Sequence, residues 1–189
     1  MILQELQTFA RRHGLPAPAI GTDADGDHAF LFSTDKSRRY AYALTWERDK
    51  QHLLWVMLNP GTGESEGRRR NTFERCKQWS NTMGYGGLIF GNVFSLRSKA
   101  AKDLLRMPHA ADDLNKQSLA LLSRLAPSTI VAWGNHGAKS EHPASLQTVL
   151  TNPKCFGYTK SGQPRHPLYV ASNTPLVEWP RISPAPSEA

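Results

Sequence analysis

Three short runs of the chain are almost wholly apolar, and they constrain the fold more than any other feature. They cover residues 53–58 (LLWVML), 88–90 (LIF) and 128–133 (STIVAW). Each run is short and is followed by turn-forming residues, which is typical of a strand covered on both faces. Strands of this kind occur in sheets that carry helices on both sides.

The segments between these runs complete an α/β pattern. Helical spacing predicts helices over residues 2–13, over about a dozen residues with Phe73, Cys76, Trp79 and Met83 on the inner face, over 111–125 and over 144–151. Further strands are predicted at 28–32, 39–46 and 154–158, and the Gly-, Asp- and Pro-rich stretch 15–27 predicts a loop. We therefore expect a three-layer α/β/α fold with a central, mainly parallel four-stranded sheet, plus an N-terminal helix and hairpin.

Length and charge indicate the class of protein. We expect one domain over residues 1–179 and a loose tail over 180–189, where Pro, Ser and Ala dominate. The net charge of +7 favours a polyanionic partner, with nucleic acid the first candidate, although many small bacterial proteins are simply basic. The sequence shows no secretory leader and no membrane span, so we expect a cytoplasmic protein, and we expect it to be a monomer.

Four polar segments follow or end predicted strands. They are 59–61 (NPG), 91–97 (GNVFSLR), 133–136 (WGNH) and 165–168 (RHPL). Ligands of open α/β sheets bind beyond the carboxyl ends of the strands, so these segments could meet in one crevice. There Asn59 could hold a water, Asn92 could read a pyrimidine edge, and His166 could stabilise an oxygen that gains negative charge. Each residue also has a plainer interpretation, as a strand-ending turn, a cap or a solvated side chain.

Basic residues near these segments are candidates for phosphate contacts. They are Arg68, Arg69, Arg70, Lys160 and Arg165. The three consecutive arginines lie at the start of a predicted helix, where cations oppose the helix dipole, and this favours a phosphate-binding role. The sequence has no HExxH, CxxC, Walker or GxGxxG motif, so we expect no metal and no other cofactor.

Taken together, the four segments resemble motifs of the uracil-DNA glycosylase superfamily, over roughly residues 53–170. The segment 58–61 (LNPG) is similar to the first active-site motif of the mismatch-specific and single-strand-selective branches. The segments ending in Asn92 and His136 resemble two successive strand ends of the classical branch, and 165–168 resembles its final motif. The chain as a whole also looks like an uncharacterised family of bacterial and phage proteins with Met-Leu-Asn-Pro and His-Pro-Leu-Tyr signatures.

The resemblance implies a uracil-DNA glycosylase-like fold and a role for each matching residue. Asn59 would position the attacking water, Asn92 would read the flipped base, and His166 would stabilise charge on the leaving base. Further contacts to the base and the duplex are implied for Pro60, Gly61, Phe94 or Tyr85, and Leu168. Asn59 replaces the usual aspartate, which implies weaker activation of water. Gly61 replaces the tyrosine that excludes groups at pyrimidine C5, which implies room for a bulky base.

These features predict a monofunctional DNA glycosylase that flips out a modified, bulky C5-substituted pyrimidine and hydrolyses its N-glycosidic bond. Its partner would be single- or double-stranded DNA, in repair or in defence against phages with modified DNA, with no membrane involved. Two alternatives remain open at this point. One is a non-catalytic reader of modified or single-stranded nucleic acid, and the other is a hydrolase acting on nucleosides or on bases in RNA.

Overall fold

A computed structural model describes residues 1–61, 71–98, 104, 112–139 and 142–179. The helices are α1 (Ile2–Arg12), α2 (Asn71–Thr82), α3 (Asp113–Leu125) and the short α4 (His142–Ser145), with 3₁₀ turns at Asn135–Lys139, Leu146–Thr148 and Pro167–Tyr169. The strands are β1 (Ala19–Asp23), β2 (Gly26–Phe32), β3 (Arg39–Thr45), β4 (His52–Met57), β5 (Gly87–Asn92), β6 (Ser128–Val131), β7 (Pro153–Cys155) and β8 (Val177–Glu178).

These strands form one mixed sheet with the order β1-β2-β3-β5-β4-β6-β7-β8. The neighbours β5, β4, β6 and β7 run parallel to one another, whereas β1, β2, β3 and β8 join through antiparallel pairs. The α/β class is confirmed. The expectation of a four-stranded sheet is wrong, because the N-terminal hairpin pairs with β5 and extends the sheet instead of standing apart from it.

Helices pack on both faces of this sheet. On one face α1 and α3 bury an apolar cluster that includes Leu6, Leu54 and Leu119. On the other face α2 covers a second cluster, which includes Trp55, Phe73 and Trp79. Both faces of β4 are therefore buried, as the apolar run at 53–58 predicts.

The strand β1 lies within residues 15–27, which the composition predicts to be a loop. All five of its residues are exposed, so it carries no alternation of buried and exposed side chains that a sequence could reveal. It is held by main-chain pairing with β2 across a tight turn that ends at Gly26, a residue with φ 133°.

The other predicted helices are present, but the residues at which they begin or end differ from those predicted. Helix α3 begins after Asp112, whose carboxylate accepts a hydrogen bond from the main-chain nitrogen of Asn115. The predicted helix at 144–151 is divided between α4 and the 3₁₀ turn Leu146–Thr148. Within the described ranges no helix combines the length and apolarity needed to cross a membrane.

Candidate functional site

The carboxyl ends of β4, β5 and β6 lie side by side at one edge of the sheet. Main-chain hydrogen bonds of 2.9 Å continue the ladder past the strand ends, from Val93 N to Met57 O and from Phe94 N to Leu58 O. A third bond of 2.9 Å joins Ala132 N to Val56 O on the β6 side. Because neighbouring strands are about 4.8 Å apart, the three strand ends span only about 10 Å. We call this the carboxyl edge.

Asn92 is the last residue of β5 and is 1% exposed. Its side chain points to the α2 face, because Leu88 and Phe90 of the same strand belong to the cluster under α2. Its nitrogen Nδ2 is fully enclosed and finds no hydrogen-bond acceptor in the described structure. An enclosed N–H without an acceptor costs about 1–3 kcal/mol, so a polar group from outside would be favoured here.

Asn59 lies two residues beyond the end of β4, and its side-chain amide has a fixed orientation. Nδ2 donates to the carbonyls of Pro60 at 3.1 Å and of Ser98 at 3.0 Å. Only the NH₂ group can donate to carbonyls, so the oxygen Oδ1 must occupy the other position of the amide. This arrangement leaves an acceptor at Asn59 that can hold a water molecule but cannot take its proton at neutral pH.

His166 reaches the carboxyl edge on the loop that follows β7. The loop is tied to β6 by a bond of 2.9 Å from Gly134 N to Pro164 O, and Trp133 Nε1 donates to Gln163 Oε1 at 2.7 Å. A Cβ atom added to Gly134 would lie 3.4 Å from Cβ of His166, so the histidine stands directly against the end of β6.

The protonation state of His166 follows from its surroundings. Its Nδ1 accepts a hydrogen bond from Leu168 N at 3.3 Å, and burial lowers the pKa of the imidazole below its usual value. A neutral imidazole whose Nδ1 accepts must carry its proton on Nε2. His166 therefore offers a neutral N–H donor, which suits an oxygen that gains negative charge.

Helix α2 brings these residues onto one face. The 3₁₀ turn Pro167–Tyr169 packs against α2, and Arg75 Nη2 donates to Val170 O at 2.9 Å. Since α2 connects the parallel strands β4 and β5, it begins at the carboxyl edge and runs back along the sheet. Asn92 and the His166 segment thus lie on the α2 side of the carboxyl edge, and Asn59 follows β4, the strand between them.

A comparison with protein families gives one match. The model described as a protein of unknown function (DUF1643) matches residues 39–168. The chain belongs to the DUF1643 family. The matched stretch contains Asn59, Asn92 and His166. No curated protein matches the chain, and no solved structure does.

Two aromatic residues predicted to stack on a base lie elsewhere in this DUF1643 protein. Tyr85 lies two residues before β5 and is therefore at the opposite edge of the sheet, since β5 alone spans about 16 Å from Gly87 to Asn92. Phe94 is 2% exposed and belongs to the core cluster under α1 and α3. The stacking role predicted for either ring does not fit these positions, because Phe94 packs on the opposite face of the sheet from the Asn92 side chain and Tyr85 lies beyond the other end of β5.

The other predicted residues divide into three groups. Pro60 and Gly61 follow Asn59 directly at the carboxyl edge. Leu168 is 42% exposed, Lys160 is exposed on a turn, and Arg165 Nη2 donates to Tyr169 O at 2.6 Å. The remaining three, Arg68, Arg69 and Arg70, lie outside the described residues, as does the predicted tail 180–189.

The sequence reasoning missed one charged residue at this edge of the DUF1643 fold. Arg39 opens β3 and is only 3% exposed, with its guanidinium 5.5 Å from the ring centre of Tyr42. Its main-chain nitrogen donates to Ser95 O, which places it beside the extension of β5. The feature of the sequence that could have revealed this residue is an arginine at the start of an otherwise apolar strand. In the described parts of the chain, no group of three or more His, Cys, Asp or Glu residues is suited to hold a metal ion.

Proposed function

We propose that this protein is a DNA glycosylase that removes a modified pyrimidine from a flipped nucleotide. The observation that carries the proposal is the enclosed, unpartnered Nδ2 of Asn92, which lies at the same edge as Asn59 and the neutral donor of His166. The resemblance of the surrounding segments to uracil-DNA glycosylase motifs supports the same interpretation. The net charge of +7 suits a nucleic-acid substrate.

Asn92 would recognise the base. Its N–H group would donate to an acceptor of the pyrimidine, the oxygen at C4 or the nitrogen N3. The bond that forms would replace one that the folded protein lacks, so recognition would relieve the cost of the enclosed N–H group. A base without an acceptor at this position would be rejected for the same reason.

Asn59 and His166 would serve the hydrolysis. As the C1′–N1 bond breaks, its electron pair passes to the base and the negative charge spreads to the oxygen at C2. The Nε2–H of His166 would donate to that oxygen, and water held by Oδ1 of Asn59 would add to C1′ and release its proton to solvent. Because an amide is no base, the reaction would favour a substrate whose base leaves readily.

Gly61 bears on which base is accepted. It follows Pro60 at the carboxyl edge and has no side chain. The classical uracil-DNA glycosylases, whose motifs these segments resemble, carry a tyrosine in the matching position that excludes substituents at C5. We therefore include in the proposal that the substrate is a pyrimidine with a bulky group at C5.

The test is to incubate the protein with genomic DNAs that differ in base modification and to identify released bases by mass spectrometry. We expect release of one modified pyrimidine and the appearance of alkali-labile sites in the same DNA. His166→Ala should reduce the rate about 10²–10³-fold, since it removes one stabilising donor. The control is His136→Ala, which alters an exposed histidine that follows β6.

Two outcomes would contradict the proposal. Tight binding of modified DNA without any abasic sites would identify a non-catalytic reader. Equal rates for the wild type and His166→Ala would show that His166 takes no part in the reaction.

A further inference from the structure

A groove of about 520 Å³ crosses the N-terminal hairpin. Its wall is formed by side chains of β2, and its floor is the edge strand β1. On this face β1 presents Ala19 opposite Phe30 and Gly21 opposite His28. Neither residue has a side chain larger than a methyl group, so β1 places no large side chain beside these rings. Phe30 is half-buried, and the His28 side chain is 13% exposed.

The rings of His28, Phe30 and Phe32 form a nearly parallel row along the groove. Their centres are 6.2 Å and 5.8 Å apart, and neighbouring planes are inclined by 2° and 9°. Phe30 is half-buried although its side chain is wholly apolar. A row of aromatic rings beside a strand with small side chains is suited to stack with nucleic-acid bases, because every base has a planar π face whatever the sequence.

One end of the row is cationic. The guanidinium of Arg97 lies 5.3 Å from the ring centre of Phe32, and its Nη1 donates to Lys36 O at 3.0 Å. Lys36 is exposed at the same end of the groove. At the other end Asp23 is bonded to His28 Nε2 at 2.8 Å. Positive charge is thus concentrated at the Phe32 end, where a phosphate would be favoured.

The cationic end adjoins the candidate site. Arg97 precedes Ser98, whose carbonyl accepts the amide hydrogen bond of Asn59 at 3.0 Å. The ring of Phe30 and the side chain of Asn92 also face the same side of the sheet. Phe30 packs against the cluster under α2, and Asn92 is on the same face of β5 as Leu88 and Phe90 of that cluster. The groove and the side chain of Asn92 therefore lie on the same face of the sheet.

We propose that this groove binds the single-stranded DNA that flanks the target nucleotide. Two or so bases would contact the rings of His28 and Phe30, and a phosphate between them and the site would meet Lys36 and Arg97. The position next to a flipped nucleotide rests on the proposed glycosylase function. Binding of a single strand in the groove is independent of that function.

Gly21 provides a sharp test, because a side chain there has open space around it and needs no unusual backbone conformation. Gly21→Leu would fill the groove beside His28 without disturbing the core. The matched control is Thr22→Leu, which places the same side chain on the opposite face of β1. A second variant, Lys36→Asn, removes the charge and keeps a residue type that tolerates φ 56°.

Binding is measured by fluorescence anisotropy with a labelled single-stranded DNA of about 15 nucleotides, a length chosen to exceed the site size of a typical groove. Gly21→Leu should weaken binding about 5- to 30-fold, since it removes base contacts, while Thr22→Leu stays within twofold of the wild type. Lys36→Asn should lower the slope of log affinity against log salt by about 0.7, the contribution of one phosphate contact.

A wild-type protein that does not bind single strands, or a Gly21→Leu variant that binds them equally well, would overturn the proposal. Base release is measured on the wild-type protein, so that failure of the groove proposal and failure of the glycosylase proposal give different results. Loss of binding in Gly21→Leu with no base release by the wild type would retain the groove and reject the glycosylase.

Discussion

The side-chain amide of Asn115 donates a hydrogen bond of 2.9 Å to the main-chain carbonyl of Asn92. It also donates to Val93 O at 3.1 Å, and both bonds come from α3, on the face of the sheet opposite α2. The main chain at the end of β5 is therefore held from one face, while the Asn92 side chain on the other face is left without an acceptor. This combination is expected of a residue that is fixed in advance for a ligand.

Removal of the Asn115 amide should destabilise the strand end. In Asn115→Ala, two buried carbonyls lose their donor, and we expect the free energy of unfolding to fall by about 2–3 kcal/mol. Urea denaturation followed by circular dichroism measures this change. Gln117→Ala, at an exposed position of the same helix, should change it by less than about 0.5 kcal/mol. Equal effects of the two substitutions would contradict the role given to Asn115.

Asn92→Leu should stabilise the protein and abolish its function. Leucine has the same number of side-chain heavy atoms in a similar branched shape and has no N–H group. The substitution therefore removes the cost of the enclosed nitrogen, and we expect a gain of about 1–2 kcal/mol in the free energy of unfolding. The same change removes the donor for the base, so release of the modified pyrimidine should become undetectable. A loss of stability in Asn92→Leu would mean that the amide is satisfied in the folded protein.

The parallel strands and their polar ends could be predicted from sequence because burial on both faces leaves continuous apolar runs. The run 53–58 and the buried Asn92 behave as that pattern predicts. The sequence could not show how far the sheet extends, since the edge strand β1 has only exposed side chains and pairs through its main chain. The same limit concealed the groove, which depends on the register between Gly21 and His28.

The places of the aromatic residues were the least predictable part of the site. Phe94 and Tyr85 both lie close in sequence to β5, but one enters the core and the other precedes the strand at its far end. A period-two pattern assigns faces only while the strand stays regular, and Phe94 lies beyond its last residue. Arg39 was missed for a different reason, because a charged residue in a sequence is usually expected to be exposed to solvent.

Gly134→Ala should impair both stability and activity. Gly134 has φ 72°, a conformation that costs an L-residue about 1–2 kcal/mol. The new methyl group would lie in van der Waals contact with Cβ of His166, 3.4 Å away, so a backbone shift that relieves the strain would displace the histidine. The matched control is Gly14→Ala, which has φ 64° and nothing within 4 Å. Both variants should lose similar stability in thermal unfolding, but only Gly134→Ala should lose base release. Full activity in Gly134→Ala would separate His166 from the proposed site.

Acid should destabilise the protein through His52. Burial, and to a smaller extent the positive N-terminus, lowers the pKa of this histidine to about 4, and its Nε2 lies 2.7 Å from Thr45 Oγ1. The unfolded chain binds a proton near pH 6.5 and the folded chain only near pH 4, so stability is lost as the pH falls through this window. His52→Gln keeps a partner for Thr45 and removes the titration. Between pH 7 and pH 4.5, the free energy of unfolding of His52→Gln should fall by about 2 kcal/mol less than that of the wild type, after allowance for the partial exposure of the ring. His136→Gln, at an exposed position, should lose as much stability over this pH range as the wild type. If His52→Gln lost the same amount, His52 would have the same pKa in the folded and the unfolded protein.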